Sequence, residues 1–358
     1  HAVRKRYISI CYRARSSAAT HMYGYSGILM PMAVFRKIPV LLNLIPKNPF
    51  MPMHKLVHGS LIHVSGIFTF PNQKYIQCWH GTPFKKIGCD VTAAGNATST
   101  VQEIYDEYTN EAKRISLLVS PSDFTTSKLI SAFNLKSSGK ENCIIQKGYP
   151  RNDALFNTDS KTVENLKNTL NIPQNKIVVL YCPTFRDNQF SGSGYTLEPA
   201  VDFDSLKDKC GSDFIILFRA HYFIANSFDF KKYNGYVLNV SEYDDINDLY
   251  LISDILITDY SSVFFDYANL KRPMLFYHYD LEEYKNKMRD FYFGTAMLPG
   301  PVIQTQEKLE NELNKILQDI RKGGSGLLKY EKALNAFNKK FNPLEDGHSA
   351  ERTVKEIF

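Results

Sequence analysis

Five short apolar runs, each closing on polar residues, constrain this chain more than any other feature. They are "SLLVS" from Ser116, "NCIIQKG" from Asn142, "KIVVLYCPT" from Lys176, "DFIILFRAH" from Asp213 and "DILITDYSS" from Asp254. Runs of this length, rich in Ile, Leu and Val and separated by stretches with helical periodicity, read as buried strands of βαβ units. Such strands build parallel sheets, and an open parallel sheet takes its ligand beyond the carboxyl ends of its strands. The expected fold class is therefore α/β, and the polar residues that end the runs are the first candidates for function.

At 358 residues the chain exceeds the comfortable size of one core, so two domains are expected, and an apolar fraction of 44% argues for packed structure rather than disorder. A boundary is read at "KGYPRNDALF", which places a first domain over residues 1–150 and a second over 151–358. The second closes with helices. Leu309, Leu313, Ile316 and Ile320 fall at helical spacing, and "GGSG" at Gly323 to Gly326 ends that pattern.

Charge is unevenly spread. Residues 1–89 hold twelve Lys or Arg and no Asp or Glu, which leaves 31 basic and 37 acidic residues in the rest. An acid-free segment carrying Arg4, Lys5, Arg6, Arg13, Arg15, Arg36 and Lys37 among aromatic and aliphatic residues suits an anionic membrane, a nucleic acid or a polyanionic substrate. The run "GILMPMAVFRKIPVLLNLIP" is interrupted by Arg36, Lys37 and three prolines, so an interfacial segment is expected rather than a span. The six cysteines, Cys11, Cys78, Cys89, Cys143, Cys182 and Cys210, form no C-x-x-C pair. Neither a zinc site nor a disulfide framework is indicated, and a reducing, cytoplasmic-side setting is expected.

"ILITDYSSVFFDYANLKRP" reads as a strand, a tight polar turn and a helix opening at Ser261 or Ser262. Capping of free N–H groups is the first expectation for the serines. Asp259 and Asp266 shift the reading toward a phosphate pocket with carboxylates beside it. Arg186 in "YCPTFRDN" and Arg219 and His221 in "FRAHYF" stand just past two other strands. Each arginine alone fits a surface ion pair; together with His221 they read as a diphosphate clamp, because guanidinium groups match phosphate geometry. "QCWHGTPFKKIGCD" sets His80 behind the chain's single tryptophan and ahead of a Gly-Thr-Pro turn, with Lys85 and Lys86 either steering an anion or forming a solvated basic face. An imidazole titrating near ~6.5 suits a general base at neutral pH.

Taken in order, "CWHGTPFKKIG", "KGYPRND", "CPTFRDN", "RAHY" and "TDYSSVFFDYANLKRP", with a weaker echo in "EDGHSAERTV", resemble the signature blocks of the CDP-glycerol glycerophosphotransferase family, enzymes that build teichoic acids and related capsular polyol-phosphate polymers. The resemblance runs from about His58 to Pro299. It implies a GT-B architecture, two Rossmann-like domains facing across a cleft. It gives His80 the role of catalytic base and His221 that of a second essential histidine at the diphosphate, and it puts Trp79, Gly81, Thr82, Ser261, Ser262 and Asp266 around the donor. It further implies a CDP-glycerol or CDP-ribitol donor and a lipid-linked polyol-phosphate or glycan acceptor; no cofactor is expected, and no metal-binding cluster is apparent in the sequence, so no bound metal is expected. Work at the cytoplasmic face of the bacterial membrane as a peripheral protein, with no nucleic-acid partner, agrees with the charge. The residues ahead of Trp79 do not read as a full Rossmann unit, so an abbreviated first domain is expected. Another GT-B nucleotide-sugar enzyme and a non-catalytic membrane-binding module remain open alternatives.

Overall fold

The computed structural model describes residues 56–59, 74–92, 100–184, 190–191, 194–195, 199–220, 228–287 and 290–357. Among them lie two parallel sheets. The first contains β1 (Leu56–Gly59), β2 (Lys74–Gln77), β3 (Leu117–Ser120) and β4 (Ile144–Gln146), in that order across the sheet. The second has the order β12-β11-β10-β5-β8-β9, from β5 (Ile177–Cys182), β8 (Phe214–Phe218), β9 (Val237–Asn239), β10 (Ile255–Thr258), β11 (Met274–Tyr277) and β12 (Val302–Ile303). A two-stranded antiparallel ribbon, β6 (Phe190–Ser191) with β7 (Gly194–Tyr195), stands apart.

All five runs singled out in the sequence are strands of these sheets. In β8, β10 and β11 every residue is buried, which a parallel sheet covered on both faces requires. Two apolar clusters lie against the six-stranded sheet. One holds Leu180, Leu217, Leu256 and Phe276 with Phe264 and Phe341; the other holds Val179, Ile216, Ile257 and Leu275 with Leu309, Leu313 and Ile316. A smaller cluster around Tyr75, Trp79, Leu118 and Phe133 serves the first sheet.

The helices are α1 (Val101–Arg114), α2 (Asp123–Ala132), α3 (Asp153–Asn157), α4 (Ser160–Thr169), α5 (Phe203–Cys210), α6 (Ile246–Ile252), α7 (Val263–Tyr267), α8 (Leu281–Lys287), α9 (Gln306–Arg321), α10 (Glu331–Phe341) and α11 (Ser349–Ile357). The start of α1 is fixed by a capping box, Thr100 accepting from the Glu103 N–H while the Glu103 carboxylate takes the Thr100 N–H. In α9 the expected stripe faces the core through Leu309, Leu313 and Ile316. The chain then crosses back, and α11 reaches the first sheet, where the Ile357 carbonyl accepts from Lys74 Nζ at 3.0 Å.

Among the described residues, two seams join the sheets. At one, Phe84 leaves the first sheet and inserts into the core of the second, stacked on Phe291 (centroids 4.5 Å) and edge-on to Phe264 (5.4 Å). Backbone bonds from Lys86 N to Asp290 O and from Tyr292 N to Phe84 O, both 2.9 Å, hold it there. The other seam folds "EDGHSAERTV" onto "KGYPRND". Asp153 accepts the N–H groups of Ser349 and Ala350 at 2.9 Å each, and Arg352 Nε donates to the Lys147 carbonyl at 3.0 Å. Gly148 permits that approach: its φ is +84°, and a Cβ there would meet Ser349 Oγ at 2.2 Å and the Leu344 carbonyl at 2.8 Å. Residues 1–55 and 60–73 lie outside the described residues. The basic segment ahead of β1, the interfacial stretch and the expectation of an abbreviated first domain fall mainly there.

Candidate active site

In the second sheet the chain starts at β5, adds β8 and β9 on one side, then returns to add β10, β11 and β12 on the other. The connections leaving β5 and β10 therefore run in opposite directions and open a crevice at their carboxyl ends, where such sheets bind ligands. Thr184 and the turn Asp259 to Ser262 stand at that crevice. Asp259 is buried, and its Oδ1 accepts from the Thr184 N–H (2.8 Å), the Thr184 hydroxyl (2.5 Å) and the Tyr260 N–H (2.6 Å). Behind the turn, His278 Nε2 lies 3.0 Å from the Asp259 carbonyl oxygen and so acts as donor. Asp259 thus welds the two strand ends together.

Ser261 and Ser262 are half-buried at the opening of α7. Ser262 occupies the N-cap position, but its side chain makes no capping hydrogen bond, which corrects the first expectation for the serines. The reason is its backbone, which at φ −72° and ψ 2° lies outside the extended region typical of a capping residue. A Cβ placed on Gly81 would sit 3.2 Å from Ser262 Oγ, so glycine at 81 lets the two turns touch.

The Gly81 turn is built on a buried polar chain. The Gln77 carboxamide accepts from the Trp79 N–H at 3.0 Å and donates to Tyr75 Oη at 2.9 Å; Tyr75 donates to Glu111 at 2.6 Å, and Arg114 pairs with Glu111. Burial, with Glu111 beside it, pushes the Tyr75 hydroxyl well above its ordinary pKa. Trp79 has φ +47°, a left-handed conformation that costs a non-glycine residue roughly 1–3 kcal/mol unless its surroundings over-determine it. Its indole is wedged edge-on against Phe133 (5.3 Å) and Tyr108 (6.0 Å). This kink turns the next residue outward: His80 is exposed, its ring 4.3 Å from the indole. Thr82, buried behind the turn, accepts from the Thr125 hydroxyl at 3.4 Å.

Asp266, on α7 directly after the serines, is gripped by a buried fork. Arg151 Nε and Nη2 donate to its two carboxylate oxygens at 2.9 and 2.8 Å, and Asn152 Nδ2 adds a third bond at 3.0 Å. Arg151 Nη1 lies 3.4 Å from the Trp79 carbonyl, and the guanidinium stacks on Tyr149 at 3.8 Å. Asn247 Nδ2 donates to the Arg151 carbonyl at 2.6 Å. Nearby, Glu345 accepts the Tyr149 N–H at 2.9 Å. Burial pushes the Glu345 carboxyl up to about 8, against the pull of the Tyr149 N–H and of Arg151.

The structure therefore brings together Trp79, His80, Gly81, Thr82, Ser262 and Asp266. It sets Asp259 and Ser261 in the adjoining turn. Arg219 is half-buried, and its Nη1 donates to the carbonyls of Val240 (3.1 Å) and Tyr243 (2.6 Å), holding the connection between β9 and α6. Arg186 and His221 lie outside the described residues. Lys85 Nζ donates to Tyr284 Oη at 3.2 Å, and Lys86 pairs with Asp290 at 2.6 Å, so both stitch the seam at Phe84. Arg151, Asn152 and Glu345 are not singled out by the sequence alone. The blocks "KGYPRND" and "EDGHSAERTV" held the signal, but their partners are more than a hundred residues away.

Known proteins resemble this chain in sequence and in fold. The chain is 38% identical over 287 residues to a teichoic acid poly(glycerol phosphate) polymerase of Bacillus subtilis, covering 79% of this chain but 37% of that protein. It is 38% identical over 296 residues to a teichoic acid glycerol-phosphate transferase of Staphylococcus aureus, covering 82% of this chain and 73% of the other. A teichoic acid ribitol-phosphate polymerase of Staphylococcus aureus is more distant, at 31% over 296 residues, covering 80% and 48%. Among solved structures, the wall teichoic acid polymerase TagF superposes with a TM-score of 0.72 at 36% identity, over 80% of this chain and 68% of that one. TagF has also been solved as a histidine-to-asparagine variant soaked with CDPG, with a TM-score of 0.74 at 33% identity, covering 85% and 71%. The two parallel sheets are thus the halves of a GT-B fold. Residues 54–358 match the family described as CDP-Glycerol:Poly(glycerophosphate) glycerophosphotransferase, and the chain belongs to that family.

Proposed function

We propose that this chain transfers glycerol phosphate from CDP-glycerol to a hydroxyl of a polyol-phosphate acceptor and releases CMP. One observation carries the reading. The turn that presents His80 touches, through Gly81, the serine turn at the switch point of the second sheet. A donor whose phosphates lie at Ser261 and Ser262 then has its β-phosphorus within reach of an acceptor oxygen held at the imidazole.

In the proposed step, His80 accepts the acceptor hydroxyl's proton as that oxygen bonds to the β-phosphorus. The bond from the β-phosphorus to the bridging oxygen breaks, and CMP leaves with the electron pair. Phosphoryl transfer needs little more than positioning and charge stabilisation. The serine hydroxyls and the backbone N–H groups of the turn supply donors, and His221 and Arg186 are proposed to complete the charge around the diphosphate. Glycerol is favoured over ribitol because glycerol-phosphate polymerases and a glycerol-phosphate transferase are 36–38% identical and ribitol-phosphate polymerases 30–33%. A lipid-linked acceptor at the cytoplasmic membrane face, approached by the acid-free residues 1–89, belongs to the same proposal.

The test is CMP release from CDP-glycerol and, separately, CDP-ribitol with a glycerol-phosphate oligomer as acceptor. His80→Ala is expected to lower kcat by about 10²–10⁴. Release from CDP-ribitol alone would overturn the choice of donor, and an unaffected His80→Ala enzyme would overturn the base.

A further inference from the structure

Trp79 is held in its left-handed conformation by three restraints. Gln77 takes its N–H, Tyr108 and Phe133 flank its indole, and Arg151 Nη1 approaches its carbonyl at 3.4 Å. The first two come from the first sheet's own side and locate the turn only within that half. The third differs. The same guanidinium grips both oxygens of Asp266 at 2.8 and 2.9 Å, and Asp266 lies on the helix that Ser262 opens. A single planar group thereby ties the backbone carrying His80 to the helix carrying the serines.

From this geometry we infer that Arg151 is a positioning residue for the transfer reaction, setting the imidazole's place relative to the serine turn through Trp79 on one side and Asp266 on the other. The inference rests on the transferase reading for its kinetic consequence, but not for its structural one. Misplacing a reacting group by about 1 Å can cost a factor of about 10² in rate while leaving ground-state binding intact. The Arg151 guanidinium is buried, with its donors turned to Asp266 and the Trp79 carbonyl. Its effect therefore falls on kcat rather than on the KM for the donor.

Arg151→Lys is the decisive variant. The ammonium keeps a positive charge opposite buried Asp266, so no carboxylate is left without a counter-charge. A point donor on a flexible stem cannot, however, grip two carboxylate oxygens and a carbonyl in one plane. Asp266→Asn, which keeps the shape but weakens the fork, serves as the second variant. The chain's single tryptophan supplies a reporter, because the Trp79 indole lies 4.3 Å from the His80 ring and an imidazolium quenches an adjacent indole. Wild-type emission should fall as pH drops through the imidazole range, and His80→Ala should abolish that titration.

For folded Arg151→Lys the expected result is a kcat at least tenfold lower, a KM for CDP-glycerol within twofold of wild type, and a diminished Trp79 titration. Asp266→Asn should follow in the same direction. Wild-type kcat with a full-amplitude titration would overturn the proposal; so would a kcat loss no larger than the unfolded fraction of the variant. If the wild type releases no CMP, the transferase reading fails, and the emission titration of the same variants still decides whether Arg151 sets the His80 turn.

Discussion

The two seams that join the sheets are made of different materials. At Phe84 the contact is apolar: one ring, 1% exposed, enters the second core between Phe264, Phe291 and Phe293. At Tyr149 to Asp153 it is polar and charged, with Arg151, Asp153, Asp266 and Glu345 buried together and answered by specific donors. An apolar seam depends on volume and responds little to pH. A buried polar seam is strict about partners, since removing one group leaves another unsatisfied in a poor solvent for charge. The reactive turn lies between the two. The apolar seam supplies cohesion, and the polar one supplies register.

Three experiments test this contrast. Phe84→Ala should cost about 3–5 kcal/mol in urea unfolding, with little dependence on pH, because it removes a fully buried ring and leaves a cavity. A loss below about 1 kcal/mol would show that the ring is not the cohesive element. A smaller effect, gated by pH, is expected for Glu345→Gln. The folded chain holds the Glu345 proton up to about pH 8, whereas an unfolded glutamate releases it near 4.5. Between those values the native state binds the extra proton, so this group's contribution is present in full below the window and declines as pH rises through it. The glutamine variant should flatten that decline, and stability curves that stay parallel from pH 4.5 to 8 would contradict it. The smallest effect belongs to Lys86 and Asp290, a partly exposed pair at 2.6 Å. A double-mutant cycle should give a coupling of about 0–1 kcal/mol that shrinks in salt. A coupling above about 2 kcal/mol would move this pair into the same class as the buried fork.

Much of the second half was legible in the sequence. Strands such as Ile177–Cys182 and Ile255–Thr258 are covered on both faces, so their continuous apolar runs announce them. The first half was less so. Lys74–Gln77 carries a lysine at one end and a fully buried glutamine at the other, because Gln77 is spent on holding Trp79. Leu56–Gly59 and Val302–Ile303 are too short to show periodicity. At the site, His80, Gly81 and the serine turn stood out because a reactive residue beside a tight turn is a local pattern. Arg151 and Glu345 did not, since an arginine or glutamate at the surface and one in a buried network look alike until their partners are known.

The alternation of buried strands with helices and the polar residues at strand ends were determined by the sequence alone, through periodicity and turn chemistry that act over a few residues. Which of those residues meet was decided by the tertiary structure. Asp266 faces Arg151 across 115 positions of chain, and Gly81 faces Ser262 across the junction of two sheets. Such pairings depend on how cores pack and cross back, and burial in that packing turns ordinary charged side chains into a fixed frame around His80.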